Sequence, residues 1–161
     1  MLINQTILER AEQLAAMLQA GDKSLSMAES CTGGGLAAAL TACAGSSAWF
    51  SGGVVAYNND VKATLLGVPV EVLNEFGAVS EQTARAMAEG ALATFGSDFS
   101  LSITGVAGPG GGSPAKPVGM VCFGLASAAG VLSSTEHFDG CRDEVRERSV
   151  LYAIDLLKNT V

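Results

Sequence analysis

Apolar residues at Ile3, Ile7, Leu8, Ala11, Leu14, Ala15 and Leu18 recur every three or four positions, and Gly21 follows them. That spacing predicts an amphipathic helix over 3–20 with a glycine stop. A short strand is expected over 24–28. Thr32 is placed to cap a helix through Leu36-Ala-Ala-Ala-Leu-Thr-Ala-Cys43, which Ala44-Gly-Ser-Ser47 ends. Gly53-Val-Val-Ala-Tyr57 predicts a second strand, and Asn58-Asn-Asp60 caps a short helix over 61–66. A helix over 70–76 is closed by Gly77. Ser80-Glu-Gln-Thr83 opens another to Phe95, with apolar positions 84, 87, 88, 91, 92 and 95 on one face. A strand over 98–103 leads into a glycine-rich stretch. Strands over 118–126 and 131–138 follow, joined by a tight turn at Ala129-Gly130 into a hairpin. A terminal helix runs over 143–158.

This order implies a three-layer α/β/α sandwich on a mixed, mainly parallel sheet, with a C-terminal hairpin and terminal helix, and residues 1–161 as one domain. Ligand sites in such sheets lie where strand-to-helix turns project into one crevice. Three turns carry polar chemistry: 30–35, 57–62 and 104–116.

Composition narrows the classes. At 48% hydrophobic and 16% charged, the chain can bury a core and is not disordered. A net charge of −7 argues against a nucleic-acid partner, since a phosphate backbone needs a basic face. A small anion needs only two or three local basic residues. Apolar runs are broken well before membrane-spanning length, so no membrane partner is expected. The first helix starts near Met1 and carries Glu9, Arg10 and Glu12, unlike a signal peptide, so a cytoplasmic protein is expected. Cys31, Cys43, Cys122 and Cys141 show no CxxC spacing, and with the single His137 they offer no zinc constellation. Free thiols and no metal are expected. His137 lies in an alternating, strand-like run, so a hydrolytic base here would be something other than histidine.

The segment Thr104-Gly-Val-Ala-Gly-Pro-Gly-Gly-Gly-Ser-Pro-Ala-Lys-Pro-Val-Gly119 holds six of the twenty glycines and three of the four prolines. It reads either as a mobile loop or as a backbone cradle in which N–H groups approach a ligand closely. A second cluster, Glu29-Ser-Cys-Thr-Gly-Gly-Gly35, favours the cradle. There Ser30 sits between strand and helix, like a nucleophile elbow without the G-x-S-x-G pattern. Backbone N–H groups at Thr32, Gly33 and Gly34 are candidates to hold an oxyanion or a phosphate; the plain alternative is that Ser30 or Thr32 only caps the helix. Cys31 is a rival nucleophile, but strand alternation turns it to the core if Ser30 faces the crevice. Lys62 is a candidate general base if partly desolvated, and Tyr57 a proton relay. Alone, each also reads as an ordinary surface residue. Ser46 and Ser47 are further hydroxyl donors, or turn caps. Arg142 and Arg146 project from one helix face and could clamp a phosphate, or pair with Asp139, Asp143 or Glu147. Glu75 and Glu89 read as solvent-facing. Trp49-Phe50 is a candidate interface patch for a homo-oligomer.

Taken together, Ala28-Glu-Ser-Cys-Thr-Gly-Gly34, Gly45-Ser-Ser47, Gly52-Gly-Val-Val-Ala-Tyr57, Lys62 with Leu66-Gly-Val68, Gly77-Ala-Val-Ser80, the glycine stretch from Thr104 and Lys116-Pro-Val-Gly119 resemble the CinA C-terminal domain, the nicotinamide-nucleotide amidohydrolases. The resemblance covers nearly the whole chain. It implies an α/β/α fold and hydrolysis of the carboxamide of nicotinamide mononucleotide to nicotinic acid mononucleotide and ammonia, in pyridine-nucleotide recycling. It implies no metal or other cofactor and a serine–lysine mechanism. Carried over by residue, Ser30 is the first candidate nucleophile, with Ser46 or Ser47 as rivals, and Lys62 the base. Tyr57 and Ser47 help proton transfer or oxyanion binding. Thr104, Gly105, Gly108, Gly110 and Gly111 hold the ribose and phosphate, with Arg142 or Arg146 near the phosphate. The family usually has Gly-Asp-Arg before the last helix; here it is Gly140-Cys141-Arg142, which unsettles the role of Arg142. The chain lacks the large N-terminal domain of full-length CinA proteins, so a stand-alone amidohydrolase is expected. The alternative is a catalytically silent nucleotide- or partner-binding module of the same fold.

Overall fold

The structure is a computed structural model that describes residues 3–161; Met1 and Leu2, the start of the expected domain, lie outside it. Helix α1 (Gln5–Ala20) starts at Asn4, whose side chain accepts from Ile7 N, and buries Ile7, Ala11, Leu14, Ala15 and Leu18. Then come β1 (Leu25–Glu29), α2 (Gly35–Thr41), a single 3-10 turn (Ser46–Ala48), β2 (Phe50–Val55), α3 (Asn59–Leu66), α4 (Val70–Phe76), α5 (Glu81–Phe95), β3 (Phe99–Gly105), β4 (Met120–Ser127), β5 (Gly130–His137) and α6 (Arg142–Lys158). Asn58 and Ser80 cap α3 and α5 through Val61 N and Thr83 N, as their sequence positions suggest. Thr32 does not cap α2: the cap position is Gly34, in a left-handed conformation with φ 98° and no side chain to offer. The hairpin turn is Ala128-Ala129, one residue earlier than expected, because Ser127 pairs with Gly130.

The five strands lie in the order β2-β1-β3-β4-β5. β1 pairs parallel with both β2 and β3, and β3–β4 and β4–β5 are antiparallel. The sheet is therefore evenly mixed, with its parallel part confined to three strands. One face is covered by α1, α2 and α6, whose core joins Leu14, Leu18, Leu36 and Ile154 to Leu101 and Phe123 of the sheet. The other is covered by α5, with α3 and α4 against it, around Leu66, Leu73, Met87 and Ala91. No helix among the described residues is long and apolar enough to cross a membrane.

The topology places the chemistry. β2 and β3 flank β1 on opposite sides, so the chain leaves the three parallel strands at one shared end. In open α/β sheets such a point, where the connections diverge, opens a crevice.

Candidate active site

That crevice is a cavity of about 290 Å³. Its walls come from the turns after β1 (Ser30, Cys31), after β2 (Tyr57, Asn59, Lys62) and after β3 (Thr104 to Gly111), closed by Ala78, Val79 and Arg142.

Ser30 continues the β1 ladder by donating its N–H to Ile103 O at 2.8 Å, so the backbone under the hydroxyl is fixed. Lys62 reaches it from the first turns of α3. Its Nζ lies 3.0 Å from Ser30 Oγ, 2.8 Å from Ala56 O and 3.2 Å from Tyr57 O. The side chain is 1% exposed, and no carboxylate forms an ion pair with it among the described residues. Burial disfavours the ammonium and pulls its pKa below the ordinary lysine value. Nζ donates to the two carbonyls and to Ser30 Oγ, and the Ser30 hydroxyl in turn donates to Tyr57 O at 3.5 Å; loss of the third ammonium proton would turn a lone pair toward Oγ.

Cys31 lines the same cavity but belongs to the core, 6% exposed. Burial pushes its thiol up to about 12, which removes the thiolate a nucleophile requires. His137 is exposed at the end of the edge strand β5 and is not on the cavity wall. Among the described residues no three His, Cys, Asp or Glu side chains are grouped to hold a metal ion.

Arg142, the first residue of α6, donates to Gly108 O at 2.7 Å and to the Tyr57 hydroxyl at 3.0 Å. It spans the cavity mouth from the glycine segment to the β2–α3 turn. Among the described residues, neither Arg142 nor Arg146 pairs with a carboxylate. Thr104 is buried and donates to Ala78 O at 2.8 Å. Gly108 has φ 83°, a conformation that favours glycine, and a Cβ there would meet Val118 at 2.5 Å. The segment is pinned at its outer end by Lys116, which donates to Phe76 O. It is thus an anchored wall and not a free loop.

The sequence pattern of the CinA C-terminal domain matches residues 8–161. The chain belongs to the CinA C-terminal domain family. A CinA-like protein of Mycolicibacterium gilvum is 55% identical over 151 residues, covering 93% of this chain and 35% of that protein. One from Parasynechococcus marenigrum is 49% identical over 150 residues, 92% of this chain and 36% of the relative. The chain therefore spans about a third of the length of these curated relatives. Among solved structures, the competence/damage inducible protein CihA from Agrobacterium tumefaciens superposes with a TM-score of 0.94 at 43% identity, covering 98% of this chain and 96% of that one. A CinA superfamily protein from Escherichia coli gives 0.94 at 33% identity, covering 99% and 94%.

Within this CinA-type fold, several expected site residues fall elsewhere. Ser46 and Ser47 precede β2, whose Phe50 pairs with Leu25 at the start of β1, whereas Ser30 follows its end. Five strand steps of about 3.3 Å put them about 16 Å from Ser30 along the sheet. Neither is on the cavity wall. Trp49, beside them, is 1% exposed and packs in the core, so it offers no interface patch. Thr32 is fully buried, and Thr32, Gly33 and Gly34 are off the wall. Their turn is internally bonded: Gly33 N donates to Ser30 O and Gly35 N to Thr32 O, both at 3.0 Å. Arg146 lies one helical turn behind Arg142 and donates to Thr32 O at 3.1 Å from outside the cavity. Glu75 and Glu89 face solvent as expected.

Two residues escaped the sequence reading. Asn59 lines the cavity at the start of α3. Glu29 is fully buried directly before Ser30; its Oε1 accepts from Leu36 N at 2.7 Å and its Oε2 from Ala37 N at 3.1 Å. Its role follows from the glycine cap of α2, which leaves the helix amides to an acceptor from elsewhere.

Proposed function

We propose that this CinA-family domain is an amidohydrolase acting on the carboxamide of nicotinamide mononucleotide, with Ser30 as nucleophile and Lys62 as its base. The observation that carries this reading is the buried, carboxylate-free Lys62 Nζ at 3.0 Å from Ser30 Oγ on a cavity wall. Neutral Lys62 accepts the serine proton as Oγ attacks the carboxamide carbon. The ammonium so formed protonates the leaving nitrogen, and ammonia departs from an acyl-serine. Water then attacks the ester, giving a proton to Lys62, which passes it to the departing Ser30 Oγ; the carboxylic acid product ionises to solvent, and Ser30 and neutral Lys62 are restored.

Of the amides first expected to meet the oxyanion, Gly33 N is engaged within the turn by Ser30 O, and Leu36 N and Ala37 N further along are held by Glu29. The Cys31 N–H, next after the nucleophile and on the cavity wall, donates to no other backbone group among the described residues, and we assign it this role. Arg142 is the cation at the mouth and is assigned to the phosphate, releasing the Tyr57 hydroxyl when the anion arrives. Tyr57 is then free to hydrogen-bond the substrate.

Product analysis tests the reading. Purified protein incubated with nicotinamide mononucleotide is expected to yield equimolar nicotinic acid mononucleotide and ammonia. Nicotinamide riboside, lacking the phosphate, is expected to turn over at least about tenfold less efficiently. Tight binding of the nucleotide without ammonia would replace this reading with a silent binding module. Equal turnover of both substrates would remove the role given to Arg142.

A further inference from the structure

Helix α2 begins in an unusual way. Its cap residue is Gly34, and Gly33 and Gly34 are both left-handed, with φ 57° and 98°. A cap side chain ordinarily accepts from the second or third amide of the helix. Here those amides are Leu36 N and Ala37 N, and both are taken by Glu29, five residues before the cap. The same residue is locked through its backbone, since its carbonyl accepts from Ala56 N at 2.7 Å and the next residue bonds Ile103 O. One side chain thus ties the end of β1 to the start of α2 and spans the turn that carries Ser30.

We propose that Glu29 is a positioning residue for Ser30: its carboxylate supplies the cap that Gly34 lacks and holds the 30–34 turn so that Ser30 Oγ faces Lys62 Nζ and the Cys31 amide stays free. This rests on the assignment of Ser30 as nucleophile. By engaging the first helix amides, Glu29 also directs the positive end of α2 into itself and away from the cavity.

Stability does not account for this carboxylate. Burial raises its pKa above the ordinary value, and the amides of Leu36, Ala37 and Gly34 offset that only in part. The neighbouring Thr32 hydroxyl shares in the offset yet makes no hydrogen bond of good geometry. A carboxyl whose folded pKa lies above its unfolded one favours folding less as pH rises through that interval. The ionised form is thus the one that burial disfavours, while its two bonds fix the turn.

The test is Glu29→Gln, which keeps the volume but turns an NH2 group toward one of the two helix amides. Ser30 reactivity is read directly as the rate of covalent labelling by a small fluorophosphonate, located by peptide mass spectrometry. The temperature is set well below the thermal midpoint of each variant, and folding is checked by circular dichroism. The expected result is a labelling rate at least about tenfold slower, with a similar fall in kcat on nicotinamide mononucleotide and KM within about threefold. A merely structural role would lower the midpoint and leave the labelling rate of folded protein unchanged, and that result overturns the proposal. Absence of labelling at Ser30 in the wild type overturns it as well. Slowed labelling without nucleotide turnover in either protein supports the Glu29 role and removes the substrate reading instead. If Glu29→Gln does not fold, Glu29→Asp, which keeps the charge but shortens the reach, is judged by the same two rates.

Discussion

The two ends of the parallel strands contrast in how they treat charge. At the start of β1 and β3, Asp98 accepts from Ser24 N at 2.8 Å and from Ser24 Oγ at 3.0 Å, with Lys23 at 3.5 Å. These groups are exposed and satisfied; the backbone bond from Ser24, above all, holds the Asp98 carboxyl below its ordinary pKa. At the other end, Lys62 and Glu29 are buried near Ser30, and among the described residues neither has a partner of opposite charge. Burial shifts each toward its neutral form, lysine down and glutamate up. One end knits the strands together. The other buries ionisable groups whose proton affinities the fold displaces, as a reactive site requires.

Changes at the reactive end should be the more costly to activity. Lys62→Met should lower kcat by at least about a thousandfold, within the range of a lost general base, while far-ultraviolet circular dichroism stays unchanged. Because the Lys62 pKa is lowered, the unfolded chain binds a proton that the folded state resists. Stability should therefore rise with pH from the lowered value toward 10.5, and Lys62→Met should flatten that rise in a thermal scan. Activity of the wild type should increase over the lower part of the same interval as the amine loses its proton. Arg142→Ala should raise KM for the nucleotide by about tenfold or more with a smaller change in kcat. Ser47→Ala, at the far end, should leave kcat/KM within about twofold; a large loss would mean that a second copy brings this serine to the site. Asp98→Ala should change stability by about 1 kcal/mol or less and activity not at all. Its depressed pKa places that small contribution above pH 3.8, to be lost as pH falls through the folded value.

Elements with a local signature were legible in the sequence. Asn58 and Ser80 announced α3 and α5, and the glycines at 21 and 77 ended α1 and α4. Ser30 and Lys62 were legible as polar groups at strand ends. What escaped was set by strand direction and by contacts distant in sequence. Ser46 and Ser47 are near Ser30 along the chain, but the crossover through α2 returns them to the opposite end before β2 begins. Arg142 and Arg146 share a helix face, yet only the first stands at the helix tip over the cavity. Glu29 carried no assigned role in the sequence because its partners, Leu36 N and Ala37 N, lie beyond a turn whose conformation the sequence does not state.

The most direct test is ammonia release from nicotinamide mononucleotide by wild type and Ser30→Ala, measured side by side on protein shown to be folded. Release by the wild type and its loss in the variant is the expected result. Release undiminished by Ser30→Ala would contradict a nucleophile at the end of β1, and with it the division of labour between the two ends of the sheet.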